Sequence, residues 1–182
     1  METKRIIFSG SGGQGVITAA IILAEASVIY EDLNAVQTQS YGPEARGGST
    51  RADVIISDEP IYYPKVDHPN LVICLTQEAY NRFSRFIRPG GLLLTDSHYV
   101  RQDPRVDARQ VELGMYEAVV NKIGKPIVFN ICVLGALIGL TGLIRAESIL
   151  RVLETKIQAD FVEINRRALQ TGLGMVSEMT KR

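Results

Sequence analysis

The sequence predicts an α/β fold in three layers (α/β/α), with a mostly parallel sheet between two layers of helices. Short apolar runs alternate along the chain with helical stretches, which is the order of βαβ units. The run "LVICL" (71–75) is apolar throughout, as expected for a strand covered on both faces. The glycine cluster "GSGGQG" (10–15) lies between the first strand and the first helix, which makes the predicted sheet Rossmann-like.

Each predicted element follows from its own pattern of apolar and turn-forming residues. The predicted strands are 5–8, 33–41, 49–57, 71–75 and 92–96, and a further strand is expected within 125–130. The predicted helices are 13–29, 77–87, 130–140, 146–157 and 158–170, the last of them ended by Gly172. Residues 98–110 are polar and irregular. Because the pattern contains no repeat and no linker, we expect residues 1–182 to form a single domain.

The composition is that of an ordinary globular chain with balanced charge. Apolar residues make up 46% and charged residues 22% of the 182 residues, and 20 Lys and Arg balance 20 Asp and Glu. A nucleic-acid-binding domain normally has a basic excess, so we expect no nucleic-acid partner.

One uncharged stretch raises the membrane alternative. Residues 127–144 approach the roughly 18 apolar residues typical of a transmembrane helix, but Asn130 and three glycines interrupt them. We interpret the stretch as a strand end and a buried helix, and expect no membrane association. The N-terminal "METKR" leads directly into a strand, without the apolar region of a signal peptide, so we expect a cytoplasmic protein.

The cysteines and histidines predict neither a metal site nor a catalytic centre. Cys74 and Cys132 each lie in an apolar run, and neither belongs to a CxxC pair. We expect two buried thiols, with no disulfide, zinc or iron–sulfur site. His68 and His98 have no partner at a ligand spacing and are interpreted as surface residues.

The first glycine cluster has the spacing of a dinucleotide-binding fingerprint. Gly10, Gly12 and Gly15 fit GxGxxG, with Gly13 and Gln14 between them. Such a turn lets the first N–H groups of the following helix face an anion, and the Gln14 amide is placed to reach a ligand or a partner backbone. Alternatively, the glycines serve only close packing inside the domain.

The second half of that fingerprint is missing. An NAD site needs an acidic residue about 20 residues further on, at the end of the second strand. Here that strand ends "QTQS" (37–40), and no Lys-Ser or Lys-Thr follows the glycines as it would in a P-loop. The loop alone is therefore weak support for a nucleotide.

The second glycine cluster, "QSYGPEARGG" (39–48), is more informative. Gly42-Pro43 predicts a turn, and Gly47-Gly48 permits close backbone approach. Glu44 and Arg46 place opposite charges on this loop. Either the loop is a solvated turn with a local ion pair of little energetic weight, or Tyr41, Glu44 and Arg46 project into an interface or a shared cleft.

Together the motifs resemble a known family. "GSGGQGV" (10–16), "QSYGPEARGG" (39–48) and "IISDEPIYYPKVDHPNLVICL" (55–75) are similar, in this order, to the gamma subunit of the 2-oxoacid:ferredoxin (acceptor) oxidoreductases. "NICVLGAL" (130–137) resembles a later block of that family. The resemblance spans nearly the whole chain and is greatest to the 2-oxoglutarate type. It implies the fold of the gamma domain of pyruvate:ferredoxin oxidoreductase.

The resemblance also implies a reaction carried out by several subunits. The assembled enzyme oxidatively decarboxylates a 2-oxoacid with thiamine diphosphate, transfers the acyl group to coenzyme A and reduces ferredoxin through iron–sulfur clusters. This chain has no GDG…N signature and no cysteine cluster. Thiamine diphosphate, magnesium and the clusters are therefore expected on alpha, beta and delta-type (ferredoxin-like) subunits. The chain alone is expected to bind no cofactor and to be inactive.

The candidate site is the sheet edge that carries the two glycine-containing loops, 10–15 and 39–48, and we call it the two-loop edge. We expect it to face the partner subunits and to suit the phosphates of coenzyme A better than NAD. The cofactor-binding or interface candidates are Gly10, Gly12, Gly13, Gln14, Gly15, Ser40, Tyr41, Gly42, Pro43, Glu44, Arg46, Gly47, Gly48 and Asn130. None of them is expected to be catalytic.

Two alternatives stay open for the function, and one for the packing. The chain could instead belong to an indolepyruvate or branched-chain oxoacid:ferredoxin oxidoreductase, or be a stand-alone nucleotide-binding module. Gly135, Ala136 and Gly139 form a small-residue face on the helix 130–140, which packs inside the domain or against another subunit. Packing inside the domain is the preferred interpretation.

Overall fold

The computed structural model describes residues 2–41 and 49–181, without the side chains of Tyr41 and Ser49. One sheet contains the strands β1 (Lys4–Ser11), β2 (Asn34–Tyr41), β3 (Ser49–Ser57), β4 (Leu71–Cys74), β5 (Leu92–Asp96) and β6 (Arg109–Leu113). The α-helices are α1 (Val16–Tyr30), α2 (Gln77–Phe83), α3 (Met115–Lys122), α4 (Phe129–Thr141), α5 (Ala146–Lys156) and α6 (Ala159–Thr180). Short 3-10 turns cover Ser84–Phe86 and Pro126–Val128.

The strand directions confirm a mostly parallel sheet. Its order is β2-β3-β1-β4-β5-β6. The pairs β1–β4, β4–β5 and β5–β6 are parallel, whereas β3 runs antiparallel to both β1 and β2. All strands except β3 therefore point the same way, and their carboxyl ends meet at one edge of the sheet.

Helices cover the two faces of the sheet unequally. α1, α3, α4, α5 and α6 enclose the larger core on one face, which contains Phe8, Val54 and Ile73. On the opposite face, α2 and the segments beside it pack against residues such as Val72. The three predicted layers are present, but the second helical layer is thin. A cleft of about 950 Å³ lies there, lined by residues that include Arg51.

Two predicted elements are wrong in type or extent. The strand expected within 125–130 is a 3-10 turn at Pro126–Val128, which leads directly into α4. Proline has no N–H for a sheet but suits the first turn of a helix, so the apolar run that follows becomes helical. The last helix continues past Gly172 to Thr180, because Gly172 makes a close contact with α4 rather than ending α6.

Two further elements, β6 and α3, have no counterpart among the predicted ones. β6 begins inside the segment 98–110 that is irregular by sequence, and it buries only Val111 and Leu113 of its five residues. α3 has only eight residues and buries Met115 and Val119. Such short apolar patterns are too weak to identify an element by periodicity.

The small-residue face of α4 packs inside the domain, as preferred. A β-carbon on Gly135 would overlap the carbonyl oxygen of Leu169 in α6, and one on Gly172 would overlap the carbonyl oxygen of Cys132. The two helices therefore cross with backbone against backbone, at a distance that only glycine allows.

The burial of both cysteines is confirmed. Cys74 lies in β4 and Cys132 in α4, and the side chains of both are fully enclosed. Burial raises the pKa of the Cys132 thiol to about 12, and it also raises that of Cys74. The 127–144 stretch divides between the 3-10 turn, the 13-residue α4 and the residues after it. Within residues 2–41 and 49–181, no helix combines the length and the apolar character needed to span a membrane.

Candidate functional site at the carboxyl edge of the sheet

Both glycine motifs are attached to the same edge of the sheet. Ser11 at the end of β1 pairs with Ser49 at the start of β3, and Tyr41 at the end of β2 pairs with Thr50. The first glycine loop and the two anchors of the second are therefore neighbours. Six candidates from the second motif lie outside the described residues: Gly42, Pro43, Glu44, Arg46, Gly47 and Gly48.

Gln14 connects the end of β1 to the end of β4. Its Oε1 accepts a hydrogen bond from the Ser11 backbone N–H at 2.8 Å. Its Nε2 donates to the carbonyl oxygen of Leu75, directly after β4, at 2.9 Å. The Gln14 amide thus crosses the point where strand order reverses, which in such sheets is the usual ligand crevice.

Gly10 and Gly15 leave room for side chains rather than for a ligand. A β-carbon on Gly10 would overlap Gln14 Oε1 and lie 3.2 Å from the Leu75 β-carbon. Gly15 has a positive φ of 71° before α1, and a β-carbon there would lie 2.5 Å from Asn130 Nδ2. The sequence leaves open whether these glycines serve a ligand or close packing, and in the structure the space beside Gly10 is filled from within the chain.

Asn130 holds the opposite side of the same loop. It lies buried in the first turn of α4, and its Nδ2 donates to the Gly15 carbonyl oxygen at 3.2 Å. Gln14 and Asn130 thus hold the two sides of the loop, and Gly12 and Gly13 at its tip are exposed. Gly13 has a φ of 88°, and no atom lies within 4 Å of a β-carbon placed there. Of the first motif, this Gly12–Gly13 tip is the part that faces solvent.

Asp96 is a buried carboxylate that the sequence motifs do not indicate. It ends β5, and it accepts hydrogen bonds from the His98 N–H at 2.9 Å and the Tyr116 N–H at 2.8 Å. Burial raises the pKa of Asp96, and the hydrogen bonds to its charged form offset only part of that effect. Asp96 therefore ties the end of β5 to the first turn of α3.

An aromatic cluster includes the two residues, His98 and Tyr116, whose backbone N–H groups bind this carboxylate. The His98 ring lies 4.7 Å from Tyr99 and 4.8 Å from Tyr116, between ring centroids, and Phe129 lies 5.6 Å from Tyr116. Burial raises the pKa of Tyr99 to about 12. These residues come from three separate segments, so sequence spacing does not reveal them. The only signal for His98 is its place directly after a predicted strand.

An apolar cleft of about 580 Å³ lies beside the loop, between α1 and the starts of α4 and α6. Gly13, Gly15 and Asn130 form part of its wall, together with Ile127 and Phe161. Ile127 is 77% exposed and Phe161 is 49% exposed, so this apolar surface continues from the cleft to the outside of the molecule.

The dinucleotide requirement is not met at the end of β2. Gln39 and the candidate Ser40 lie there, both exposed, with no acidic side chain in β2 to hold a ribose. Within the described residues, no group of three or more His, Cys, Asp or Glu is arranged to hold a metal ion. The edge offers exposed backbone, one buried carboxylate and an aromatic cluster.

Known proteins are similar to this chain over most of its length. The 2-oxoglutarate synthase subunit KorC of Methanocaldococcus jannaschii is 41% identical over 97% of this chain and 95% of its own. Subunit VorA of the ketoisovalerate oxidoreductase from Methanothermobacter marburgensis is 30% identical over 76% of this chain and 29% of its own.

A solved structure shows the same fold. The keto/oxoacid ferredoxin oxidoreductase gamma subunit of Geobacter sulfurreducens superimposes with a TM-score of 0.89 at 38% identity, over 98% of both chains. The resemblance to gamma subunits is thereby confirmed. The family model described as pyruvate ferredoxin/flavodoxin oxidoreductase matches residues 5–175, and the chain belongs to this family.

Proposed function

We propose that this chain is the gamma subunit of a 2-oxoglutarate:ferredoxin oxidoreductase. That enzyme converts 2-oxoglutarate and coenzyme A to succinyl-CoA and carbon dioxide, and passes the electrons to ferredoxin. The observation that carries the proposal is the 41% identity to a 2-oxoglutarate synthase subunit over 97% of this chain. The branched-chain alternative has less support, because the ketoisovalerate relative is 30% identical over only 76% of the chain.

Within this enzyme the chain has a non-catalytic role. The polar side chains nearest the glycine loop hydrogen-bond groups of the chain itself: Gln14 bonds Ser11 and Leu75, and Asn130 bonds Gly15. Side chains engaged in this way shape a surface rather than act on a substrate. Thiamine diphosphate, magnesium and the iron–sulfur clusters are then held by the alpha, beta and delta-type subunits.

The two-loop edge is the surface that faces those subunits in our proposal. The exposed Gly12–Gly13 tip and the anchors of the second motif lie next to each other, because Ser11 pairs with Ser49. Exposed glycines let another backbone or a phosphate approach closely. Coenzyme A entering the active site from a neighbouring subunit is the ligand whose phosphates fit this description.

Reconstitution tests the proposal directly. The chain is expressed with and without the candidate partner subunits, and the reduction of a viologen dye is followed with 2-oxoglutarate, branched-chain oxoacids and indolepyruvate. We expect coenzyme A-dependent activity with 2-oxoglutarate only when this chain is present. The proposal fails if omission of the chain changes neither activity nor assembly, and activity restricted to branched-chain oxoacids supports the alternative.

A thermal shift experiment separates a subunit from a stand-alone nucleotide-binding module. A ligand at about 100 times its dissociation constant stabilises a protein by about 2.7 kcal/mol. We expect no such stabilisation of the isolated chain by NAD or NADP. A clear shift with NAD, without any partner subunit, contradicts the subunit proposal.

A further inference from the structure

We propose that Gln14 is a positioning residue: its amide takes the place of a bound ligand in the crevice between β1 and β4, and thereby fixes the Gly12–Gly13 tip at the carboxyl edge. The first half of this inference concerns the chain alone. The second half, that the fixed tip is what a partner subunit contacts, rests on the proposed function.

The hydrogen bonds of Gln14 carry the inference. A side-chain amide has two N–H donors and one carbonyl oxygen. Here the oxygen accepts from Ser11 and one N–H donates to Leu75. These partners lie at the end of β1 and directly after β4. One side chain therefore fastens the loop to two neighbouring strands of the sheet.

The position of this amide differs from what a dinucleotide-binding loop requires. In the fingerprint, the first glycines keep the crevice open so that a pyrophosphate can approach the backbone. Here a β-carbon on Gly10 would overlap Gln14 Oε1, and Val16 and Leu75 also lie close to that point. With Gln14 in this position, the glycine at position 10 makes room for the chain's own glutamine.

Asn130 completes the arrangement from the other side. It is buried and donates a hydrogen bond to the Gly15 carbonyl oxygen, and its neighbour Phe129 packs against the ring of Tyr116, which in turn packs against Tyr99. The loop is held at Ser11 by Gln14 and at Gly15 by Asn130. Only the Gly12–Gly13 tip between these two points is left for contact with another molecule.

The hydrogen bond to Ser11 is tested by amide hydrogen exchange on the full chain. In Gln14→Ala the Ser11 N–H loses its acceptor, so we expect its exchange to accelerate about tenfold, as for the loss of one hydrogen bond. In Gln14→Glu a carboxylate oxygen can still accept from Ser11, so its protection is retained. Equal exchange at Ser11 in the wild type and in Gln14→Ala overturns the inference.

The consequence for the edge is tested by binding to the partner subunits. Ile149→Val, in the core at α5 and far from the loop, is the control for lost stability. We expect Gln14→Ala to weaken subunit binding about tenfold and Ile149→Val to leave it unchanged. Equal weakening by both variants means that Gln14 acts only through stability, and overturns the positioning role.

Failure of this inference can be told apart from failure of the proposed function. If the wild-type chain binds no partner subunit, the proposed function fails, while the exchange experiment still decides whether Gln14 fixes the loop. Titration of the wild-type chain with NADH provides a third readout. We expect no binding, and binding through this loop contradicts the claim that the crevice is already filled.

Discussion

Glycine has two different uses in this chain, at the α4–α6 crossing and in the β1–α1 loop. At the crossing, the atoms that exclude a β-carbon are backbone atoms: the carbonyl oxygens of Leu169 and Cys132 lie against Gly135 and Gly172. In the loop, Gly10 and Gly15 meet the side chains of Gln14 and Asn130. Side chains can rotate away from an added atom, whereas two packed helices have to separate.

The comparison explains why the two regions differ in what they can do. A backbone contact between buried helices stabilises the core and has no free polar group to offer. In the loop, the contacting side chains are amides that form hydrogen bonds, so the glycines there allow a polar network at the surface. Glycine thus allows a close backbone contact between helices in one region, and it makes room for hydrogen-bonded side chains in the other.

The substitution Gly172→Ala is expected to have the largest effect on stability. The added methyl group would overlap the Cys132 carbonyl oxygen and lie 2.6 Å from the Ala136 nitrogen, so α4 and α6 must move apart. We expect a loss of about 3 kcal/mol in the free energy of unfolding, as for severe overpacking of a core. Urea denaturation of the full chain measures it.

Gly174→Ala is the matched control, two residues further along α6. No atom lies within 4 Å of a β-carbon at this position. Because alanine is a better helix former than glycine, we expect this variant to gain about 0.5–1 kcal/mol. If both variants changed stability alike, the helix crossing would not depend on close backbone contact, and the contrast between the two regions would be lost.

Gly15→Ala is expected to have an intermediate effect. Alanine at a φ of 71° costs about 1 kcal/mol, and the displaced Asn130 side chain loses a hydrogen bond worth about 1 kcal/mol. Gly13→Ala has a φ of 88° but no atom within 4 Å of its β-carbon, so only the first cost applies. Thermal unfolding of both variants compares them, and equal losses would show that the contact with Asn130 adds nothing.

The general fold could be predicted from the sequence because its strands and helices are strongly patterned. Leu71–Cys74 is apolar throughout and α1 is apolar on nearly all sides, so both were identified with small errors at their ends. The strand β6 could not be predicted from its own pattern, because only Val111 and Leu113 of its five residues are buried. Its place is determined by pairing with β5, which a local pattern does not contain.

The candidate site was only partly predictable, for a related reason. Gln14 and Asn130 belong to motifs and could be named from the sequence. Their partners could not: Leu75 is 61 residues away from Gln14, and Gly15 is 115 residues away from Asn130. Asp96 and the aromatic cluster belong to no motif at all. Chain folding brings them to the edge, so only the structure reveals them.

Glu31 provides a third kind of contact, whose contribution to stability depends on pH. It follows α1 and accepts hydrogen bonds from the Arg145 N–H at 2.9 Å and from the Ser148 hydroxyl, so it joins the end of α1 to the start of α5. Burial alone would raise the pKa of Glu31. The hydrogen bonds from Ser148 and Arg145 lower this pKa by more than burial raises it, so the net shift is downward from 4.5.

A carboxylate whose pKa is lowered by folding stabilises the protein above its unfolded pKa, and this contribution is lost as pH falls through the folded pKa. We therefore expect Glu31→Gln to cost about 1 kcal/mol at pH 7, and the difference from the wild type to shrink once the pH falls below 4.5. Urea denaturation of both proteins at several pH values measures this. The difference between Gly172→Ala and Gly174→Ala depends on packing without charge, so it should not follow this titration. If the Glu31→Gln difference were equally constant with pH, the link between α1 and α5 would also depend on shape alone.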